Sequence, residues 1–313
     1  MPGLGIICSG QGRQDAAMIE RLAAYSEARP LLERIRSSGV LPDRALAWLD
    51  RPDAAGDLIF SNAVAQPMVC LCQMLAWEIV RTLLPAPDVF MGYSLGELSA
   101  YGCAGVFTPQ ETVRLAAARG RLMADAATVP QTMVAVIGLS GGQLRDICPG
   151  FNAQIAIING ANHHIVGLPL EKLPSFIEKC GKSGAARTVR LPVDAAAHTA
   201  HMRAAAEGFE KALLGAEFKP GGAVIAGVSG EKVFTRERMI SALAGQVHRA
   251  IDWRACMESA IACGCRVFLE LGPGNSLARM AISEFNGIEA RSVSEFRDLR
   301  AAGGWAAAAL GRA

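Results

Sequence analysis

The chain has 313 residues, about half of them apolar, and 31 Lys and Arg stand against 29 Asp and Glu. Length and apolar content together predict a sizeable core and exclude a disordered protein. A formal net charge of +2 gives no support to nucleic-acid or anionic-membrane binding. No apolar run is expected to reach the length of a membrane span, and residues 1–8 lack the features of a signal peptide, so a cytoplasmic protein is expected.

The cysteines predict buried thiols. Nine of them are scattered through a large chain, and an odd number argues against a disulfide framework. The closest pairs are Cys70 with Cys72 and Cys263 with Cys265. Neither pair has a second pair at zinc-ligand spacing, so all four are interpreted as core cysteines and no metal site is expected.

The first segments read as a strand followed by helices. Residues 4–8 form an apolar run typical of a buried strand, and residues 9–14 break it with two glycines. Such a loop can place main-chain amides against an anion, although it matches neither the phosphate-loop nor the dinucleotide pattern. Short helices are predicted over 15–50 and a longer one over 66–82, with Pro67 near its first turn.

A Gly-x-Ser-x-Gly pattern, residues 92–96, is the strongest sign of chemistry. An apolar strand is predicted before it at 88–91 and a helix after it from residue 97. Strand, tight turn and helix are the context in which this pattern forms a nucleophile elbow. The turn lifts Ser94 Oγ to the top of a sheet and directs the Leu95 amide to the place where an oxyanion would form.

A second helix after the elbow is predicted to carry a charge that points inward. Thr108 is a good N-cap, and the helix that it begins carries Arg114, Arg119 and Arg121. Two residues turn a helix by about 200°, so Arg119 and Arg121 cannot share a face and at least one is expected to point inward.

The middle of the chain has a different pattern of predicted strands and helices. Elements in the order βαββαβ are predicted from about residue 132 to 190, which is the ferredoxin-like arrangement. The predicted fold is therefore α/β. A large α/β-hydrolase-like domain with a parallel sheet and nucleophile elbow covers 1–128 and 192–313, and a small ferredoxin-like domain is inserted at 129–191. A long helix is expected from about residue 195 to 214.

A serine nucleophile requires a base, and the position of the histidines narrows the choice. His163 and His164 fall in the small domain and His248 between helices, whereas His198 and His201 follow the return to the large domain. Spacing alone does not choose between His198 and His201. A triad would need a carboxylate between serine and histidine, but Asp125, Asp146 and Asp194 all lack a clear strand-end position, and a main-chain carbonyl could orient the imidazole instead.

Several motifs in one order resemble a known family. The chain is similar to the malonyl-CoA:acyl carrier protein transacylases and to the acyltransferase domains of polyketide synthases. The resemblance rests on residues 9–14, the elbow 92–97, the Arg-Gly-x-x-Met stretch 118–123, the stretch 198–202, Gln246 before Trp253, and the strand and turn 270–274.

The resemblance implies a role for each matching residue. Ser94 would be acylated and His198 would be general base and then acid, which leaves His201 a bystander. Gln11 and Leu95 would supply the amides of the oxyanion hole. Arg119 would hold the free carboxylate of a malonyl group. The last matching residue, Gln246, would lie near His198, where a main-chain carbonyl of the family holds the imidazole.

The expected reaction is a two-step transfer of a malonyl or similar dicarboxylic acyl group from CoA to the phosphopantetheine thiol of an acyl carrier protein. No bound cofactor is expected; malonyl-CoA is a substrate, and the expected partners are the carrier protein and the acyl-CoA, with the enzyme a monomer. Tyr93, where the family usually has histidine, and residues 195–197 and 159–164 depart from the family pattern around the acyl pocket.

Three alternatives stay open. In the first, the chain is the transacylase subunit of a malonate decarboxylase and loads that complex's own carrier protein. In the second, it is an acyl-thioester hydrolase of a proofreading type, in which water replaces the carrier thiol. In the third, it is a non-catalytic interaction module, against which the presence of both Ser94 and His198 argues.

Overall fold

A computed structural model describes residues 2–52 and 56–313. Two sheets organise the chain. In these described ranges the eleven strands are β1 (Gly3–Cys8), β2 (Val89–Gly92), β3 (Gln131–Ile137), β4 (Gln154–Gly160), β5 (His163–Pro169), β6 (Arg187–Arg190), β7 (Val224–Ile225), β8 (Lys232–Val233), β9 (Ile251–Asp252), β10 (Cys265–Leu271) and β11 (Glu289–Ser292).

Thirteen α-helices surround these sheets in the described residues. They are α1 (Met18–Ala23), α2 (Arg29–Ser37), α3 (Asp43–Asp50), α4 (Asn62–Val80), α5 (Leu95–Cys103), α6 (Pro109–Ala126), α7 (Gly141–Ile147), α8 (Leu173–Lys182), α9 (Arg203–Leu214), α10 (Arg236–His248), α11 (Trp253–Ala262), α12 (Ser276–Glu284) and α13 (Ala301–Arg312). The predicted α/β fold class is confirmed.

The larger sheet has the order β11-β10-β1-β2-β7-β8 and is parallel except for the last pair. Cys8 at the end of β1 pairs with Gly92 of β2 on one side and with Leu271 of β10 on the other. The carboxyl ends of three neighbouring strands are therefore level. The loops that follow them meet at one edge of the sheet, where open α/β sheets place their ligands.

The smaller sheet has the order β6-β3-β5-β4-β9. Its first four strands are antiparallel and, with α7 and α8, follow the predicted order βαββαβ. The short strand β9, from far along the chain, pairs in parallel with β4. The predicted boundaries of this unit, 129 and 191, stay predictions.

Helix α4 is the central helix of the larger unit. By length and composition it could cross a membrane, so the expectation that no apolar run reaches that length is wrong, but 83% of its most apolar window is buried inside the protein. A helix apolar on all sides is typical of a core. It begins at Asn62, four residues earlier than predicted, so that Pro67 lies in its second turn instead of its first.

The helix expected from residue 195 begins later. A 3₁₀ turn covers Ala200–Met202 and α9 starts at Arg203, which leaves His198 in a loop. The reason is its main chain: His198 has φ 62°, a left-handed conformation that a regular α-helix cannot contain. The prediction that this helix begins at about residue 195 is therefore wrong.

Burial of the cysteines agrees with prediction except at one position. All nine are described, and all are free thiols. Eight are buried, whereas Cys263 is exposed just after α11. Its interpretation as a core residue is wrong because the turn between α11 and β10 lies at the surface.

Candidate active site

Ser94 lies in a strained turn between β2 and α5. Its main-chain angles are φ 57° and ψ −113°, a conformation that residues other than glycine rarely adopt. The two flanking glycines make the turn possible. A Cβ on Gly92 would lie 2.0 Å from the Gly96 carbonyl carbon, and a Cβ on Gly96 would lie 2.0 Å from the Cys8 oxygen. The sequence therefore folds locally into the predicted elbow.

His198 meets Ser94 from the other side of the site. Its Nε2 lies 2.7 Å from Ser94 Oγ, and its main-chain amide donates to the oxygen of Val247 at 2.9 Å. The loop around it rests on the smaller sheet, since a Cβ on Gly167 of β5 would lie only 3.0 Å from the Ala196 Cβ. The small residues 195–197 allow this close approach, which places the imidazole over the elbow.

Gln246, near the end of α10, connects the two residues. Its main-chain oxygen accepts a hydrogen bond from His198 Nδ1, and its side-chain amide donates to the Ser94 main-chain oxygen at 3.0 Å. A carbonyl thus fixes the tautomer in which Nε2 is free to accept the serine proton. Asp194, one of the acids considered for a triad, accepts from Asn62 instead.

The imidazole is held neutral. Burial lowers the pKa of His198 to about 3; the positive charge of Arg119 adds to this effect, and the bond to Gln246 opposes it. A neutral imidazole is the form that accepts a proton. The site therefore contains a base that stays unprotonated through the neutral pH range.

Arg119 is the buried cation of the site. Only 1% of its surface is exposed, whereas Arg121 on the same helix is exposed, as the helical geometry predicts for one of the pair. Its Nη1 donates to Gln66 Oε1 at 2.8 Å and its Nη2 to Gln246 Oε1 at 3.3 Å. Its buried Nε has no hydrogen-bond partner among the described residues.

The charge of Arg119 is balanced by dipoles at short range. Its direct partners are two neutral amide oxygens, and burial lowers its pKa to about 10. It therefore stays protonated at neutral pH, with an unpaired donor. A buried cation of this kind attracts an anion small enough to enter the site.

The two residues assigned to an oxyanion hole lie at the elbow. Leu95 is the first residue of α5, so its amide has no partner within the helix. The loop that contains Gln11 packs on the same turn, because a Cβ on neighbouring Gly10 would lie 2.9 Å from the Tyr93 oxygen. The helix N-terminus adds a positive partial charge at this point.

The other histidines do not reach Ser94. Nε2 of His201 lies 3.0 Å from the main-chain oxygen of Asn152, in the turn before β4. His163 and His164 belong to β5, and His248 ends α10. The structure thus separates His198 from His201, which spacing alone could not do.

Tyr93 forms an aromatic wall beside the nucleophile. Its ring packs edge-on against Trp253, with 5.5 Å between the ring centroids. Burial raises the pKa of its phenol, so the hydroxyl stays neutral. This position, which departs from the family pattern, therefore carries a bulky aromatic ring with a neutral hydroxyl.

Sequence reasoning missed three buried polar residues that support the site. Gln66 and Asn62 lie on α4, whose sequence reads as an ordinary apolar helix. Glu97 lies on α5, three residues after Ser94, and its Oε2 accepts from the Gly227 amide at 3.0 Å. Polarity could have indicated Asn62 and Gln66, because glutamine and asparagine recur within an otherwise apolar helix and buried polar groups require partners.

Comparison with known proteins agrees with this geometry. The acyl transferase domain model matches residues 6–306. A malonyl CoA-acyl carrier protein transacylase of Mycobacterium tuberculosis is 29% identical over 301 residues, which are 95% of this chain and 98% of that protein.

Two solved structures extend the comparison. An acyl-carrier-protein-S-malonyltransferase from Bartonella henselae has a TM-score of 0.87 at 29% identity, over 97% of this chain and 99% of the other. The structure of a holo type II PKS acyl-carrier protein in complex with its malonyl-transacylase gives a TM-score of 0.87 at 25% identity. The match covers 96% of this chain and 98% of the other. The resemblance inferred from the motifs is confirmed over nearly the whole chain.

Proposed function

Because the chain belongs to the acyl transferase domain family, we propose that it transfers a malonyl group from CoA to the phosphopantetheine thiol of an acyl carrier protein. The names of the similar proteins support this substrate and this acceptor. The observation that carries the proposal is the arrangement around Gln246, which contacts Ser94, His198 and Arg119 together. One residue thereby relates a nucleophile, its base and a buried cation.

The first half-reaction forms an acyl-enzyme. His198 Nε2 takes the proton from Ser94 Oγ while the oxygen attacks the thioester carbonyl. The amides of Gln11 and Leu95 stabilise the resulting oxyanion. When the carbon–sulfur bond breaks, the CoA sulfur leaves with the proton from His198, and the malonyl group remains as an ester on Ser94.

The second half-reaction reverses these roles. The carrier thiol gives its proton to His198 and attacks the ester carbonyl, and the same amides stabilise the second oxyanion. Collapse returns the proton from His198 to Ser94 Oγ and leaves malonyl as a thioester on the carrier. On the protein side, His198 moves the protons and the main-chain amides of Gln11 and Leu95 stabilise the charge in both steps.

Arg119 supplies the preference for a dicarboxylic donor. A guanidinium pairs with a carboxylate through two parallel hydrogen bonds. This ion pair is stronger where water is excluded. A donor without the free carboxylate leaves the buried cation unpaired. The expected order of donors is therefore malonyl-CoA before acetyl-CoA.

The reaction is assigned to the cytoplasm. The nine free cysteines support this location, because thiols persist in reducing compartments.

The test is transfer to a carrier. The protein is incubated with malonyl-CoA and a holo carrier protein, and the mass of the carrier and the release of free malonate are both followed; the apo carrier, without the thiol, is the control. We expect malonyl-carrier from the holo form alone. Release of free malonate at the same rate with and without carrier would show that the protein is a hydrolase and not a transferase.

The identity of the carrier is a second variable in this assay. A carrier protein of a malonate decarboxylase and one of fatty-acid synthesis are compared at equal concentration. Faster loading of the decarboxylase carrier would assign the chain to that complex, with the same chemistry at Ser94.

A further inference from the structure

A chain of hydrogen bonds leads from the protein surface to Arg119. Asp194 Oδ1 accepts from Asn62 Nδ2 at 2.7 Å, and Asn62 Oδ1 accepts from Gln66 Nε2 at 3.1 Å. Gln66 Oε1 in turn accepts from Arg119 Nη1 at 2.8 Å. Asp194 is exposed, whereas 4% or less of each of the other three residues is accessible.

The order of donors and acceptors in this chain is set at both ends, because the guanidinium of Arg119 only donates hydrogen bonds and the outer carboxylate only accepts them. An ionised carboxylate only accepts hydrogen bonds, so Asp194 requires Asn62 to present its NH₂ group outward. The oxygen of Asn62 then points inward and requires the NH₂ group of Gln66. The oxygen of Gln66 is left to face Arg119. Each amide has a single favourable orientation because its neighbour is already oriented.

The inner end of the chain also depends on this order. If the amide of Gln66 were reversed, its NH₂ group would face the guanidinium, and two donors would meet in a buried site. Such an arrangement leaves both groups without an acceptor, which is costly away from water. The second donor contact of Gln66, to Met123 Sδ at 3.4 Å, involves a weak acceptor and cannot fix the orientation by itself.

We propose that Asp194 is a positioning residue that orders the Asn62 and Gln66 amides and thereby holds Arg119 in place for the carboxylate of the donor. The proposal rests on the proposed function, since it assigns Asp194 an influence on the choice between dicarboxylic and monocarboxylic acyl groups. Asp194 itself touches neither the substrate nor the reacting atoms.

A purely structural role for Asp194 makes a different prediction. Asp194 lies four residues before His198 on the segment that leaves the smaller sheet. If its bond to Asn62 only anchored this segment, its loss would displace His198 and slow acylation by every donor equally. The ratio of the malonyl to the acetyl rate separates the two roles.

The experiment measures acylation of Ser94 by intact mass at short times, with malonyl-CoA and with acetyl-CoA, for wild type and for Asp194→Asn. The substitution keeps the size of the side chain but lets it donate as well as accept. We expect the malonyl rate to fall about three- to tenfold while the acetyl rate changes less than about twofold. Asp146→Asn, which removes an exposed carboxylate on α7, is the matched control and is expected to match wild type.

A double variant tests the order of donors directly. Asn62→Asp combined with Asp194→Asn exchanges the two side chains, and the new carboxylate accepts from Gln66 and from the new amide. The oxygen of Gln66 again faces Arg119, so the ratio of the malonyl to the acetyl rate is expected to recover towards the wild-type ratio. Thermal unfolding of each variant verifies that it is folded.

Three outcomes contradict the proposal. They are an unchanged ratio in Asp194→Asn, whether neither rate falls or both fall equally, a change as large in Asp146→Asn, and a double variant that stays as poor as Asp194→Asn. The proposed function is judged separately, because a wild-type protein that forms no malonyl adduct would reject the transferase before any variant is compared.

Discussion

Ser94 and His198 face each other across one hydrogen bond of 2.7 Å, and both have a left-handed main chain, with φ of 57° and 62°. Among the described residues other than glycine, Asn152 alone shares this property. Strained conformations persist where the surrounding structure imposes them, and they concentrate at functional sites. The fold therefore holds both members of the pair at a cost in stability.

Replacing Ser94 by glycine is expected to stabilise the protein and abolish acylation. Glycine adopts the angles of residue 94 without a clash, so the free energy of unfolding should rise by about 1 kcal/mol. Urea unfolding measures it. Ser99→Gly, on the same helix α5, is the control and should destabilise, because it loses a bond to Cys70 and adds a glycine to a helix. A Ser94→Gly protein less stable than wild type would mean that the elbow is unstrained.

The rate of acylation is expected not to follow the usual titration of histidine. Because burial lowers the pKa of His198 to about 3, the base stays neutral in mildly acidic solution. The rate of adduct formation should be nearly flat between about pH 5 and 8. Rapid quenching at each pH followed by intact-mass measurement gives this profile. A fall with a midpoint near the ordinary pKa of about 6.5 would show that His198 is exposed to water in the working enzyme.

Glu97 is expected to make stability depend on pH. Burial raises its pKa to about 7, while its bond from the Gly227 amide opposes the shift. Below its unfolded pKa the group is protonated in both states. Between that value and about 7 the folded state holds more protons than the unfolded state, so stability falls as pH rises.

The variant Glu97→Gln removes the free-energy cost of ionising this buried carboxyl group. It should raise the free energy of unfolding more at pH 8 than at pH 5, by a difference on the order of 2 kcal/mol. Urea unfolding at both pH values measures it, with the exposed Glu210→Gln as control. An equal effect at both pH values would mean that Glu97 is ionised throughout the range.

The elbow could be predicted from sequence because its geometry depends on residue identity. Gly92 and Gly96 are required where a Cβ would overlap main-chain atoms, and Ser94 lies between them. Helical periodicity predicted that at least one of Arg119 and Arg121 points inward, and the family resemblance indicated Arg119. The order βαββαβ of the smaller sheet likewise followed from alternating patterns of apolar residues.

Contacts made by the main chain could not be predicted in this way. The imidazole of His198 is oriented by a main-chain oxygen, which every residue possesses, so the chemistry of residue 246 does not mark this contact and only the family resemblance indicated it. The late start of α9 has the same origin, because the left-handed φ of His198 is imposed by its surroundings. The order of the Asn62 and Gln66 amides depends on Asp194, 132 residues away from Asn62 in the chain.

The most direct measurement of the central claim is the intact mass of the protein after mixing with malonyl-CoA or acetyl-CoA, for wild type, Ser94→Ala and Arg119→Ala. Wild type should gain a malonyl adduct that Ser94→Ala lacks. In Arg119→Ala the malonyl rate should fall about 100-fold, the size expected for a lost charged pair, while acetyl labelling is retained. Acetyl labelling of wild type as fast as malonyl labelling would contradict the carboxylate-binding role of Arg119, and an adduct on Ser94→Ala would contradict the nucleophile.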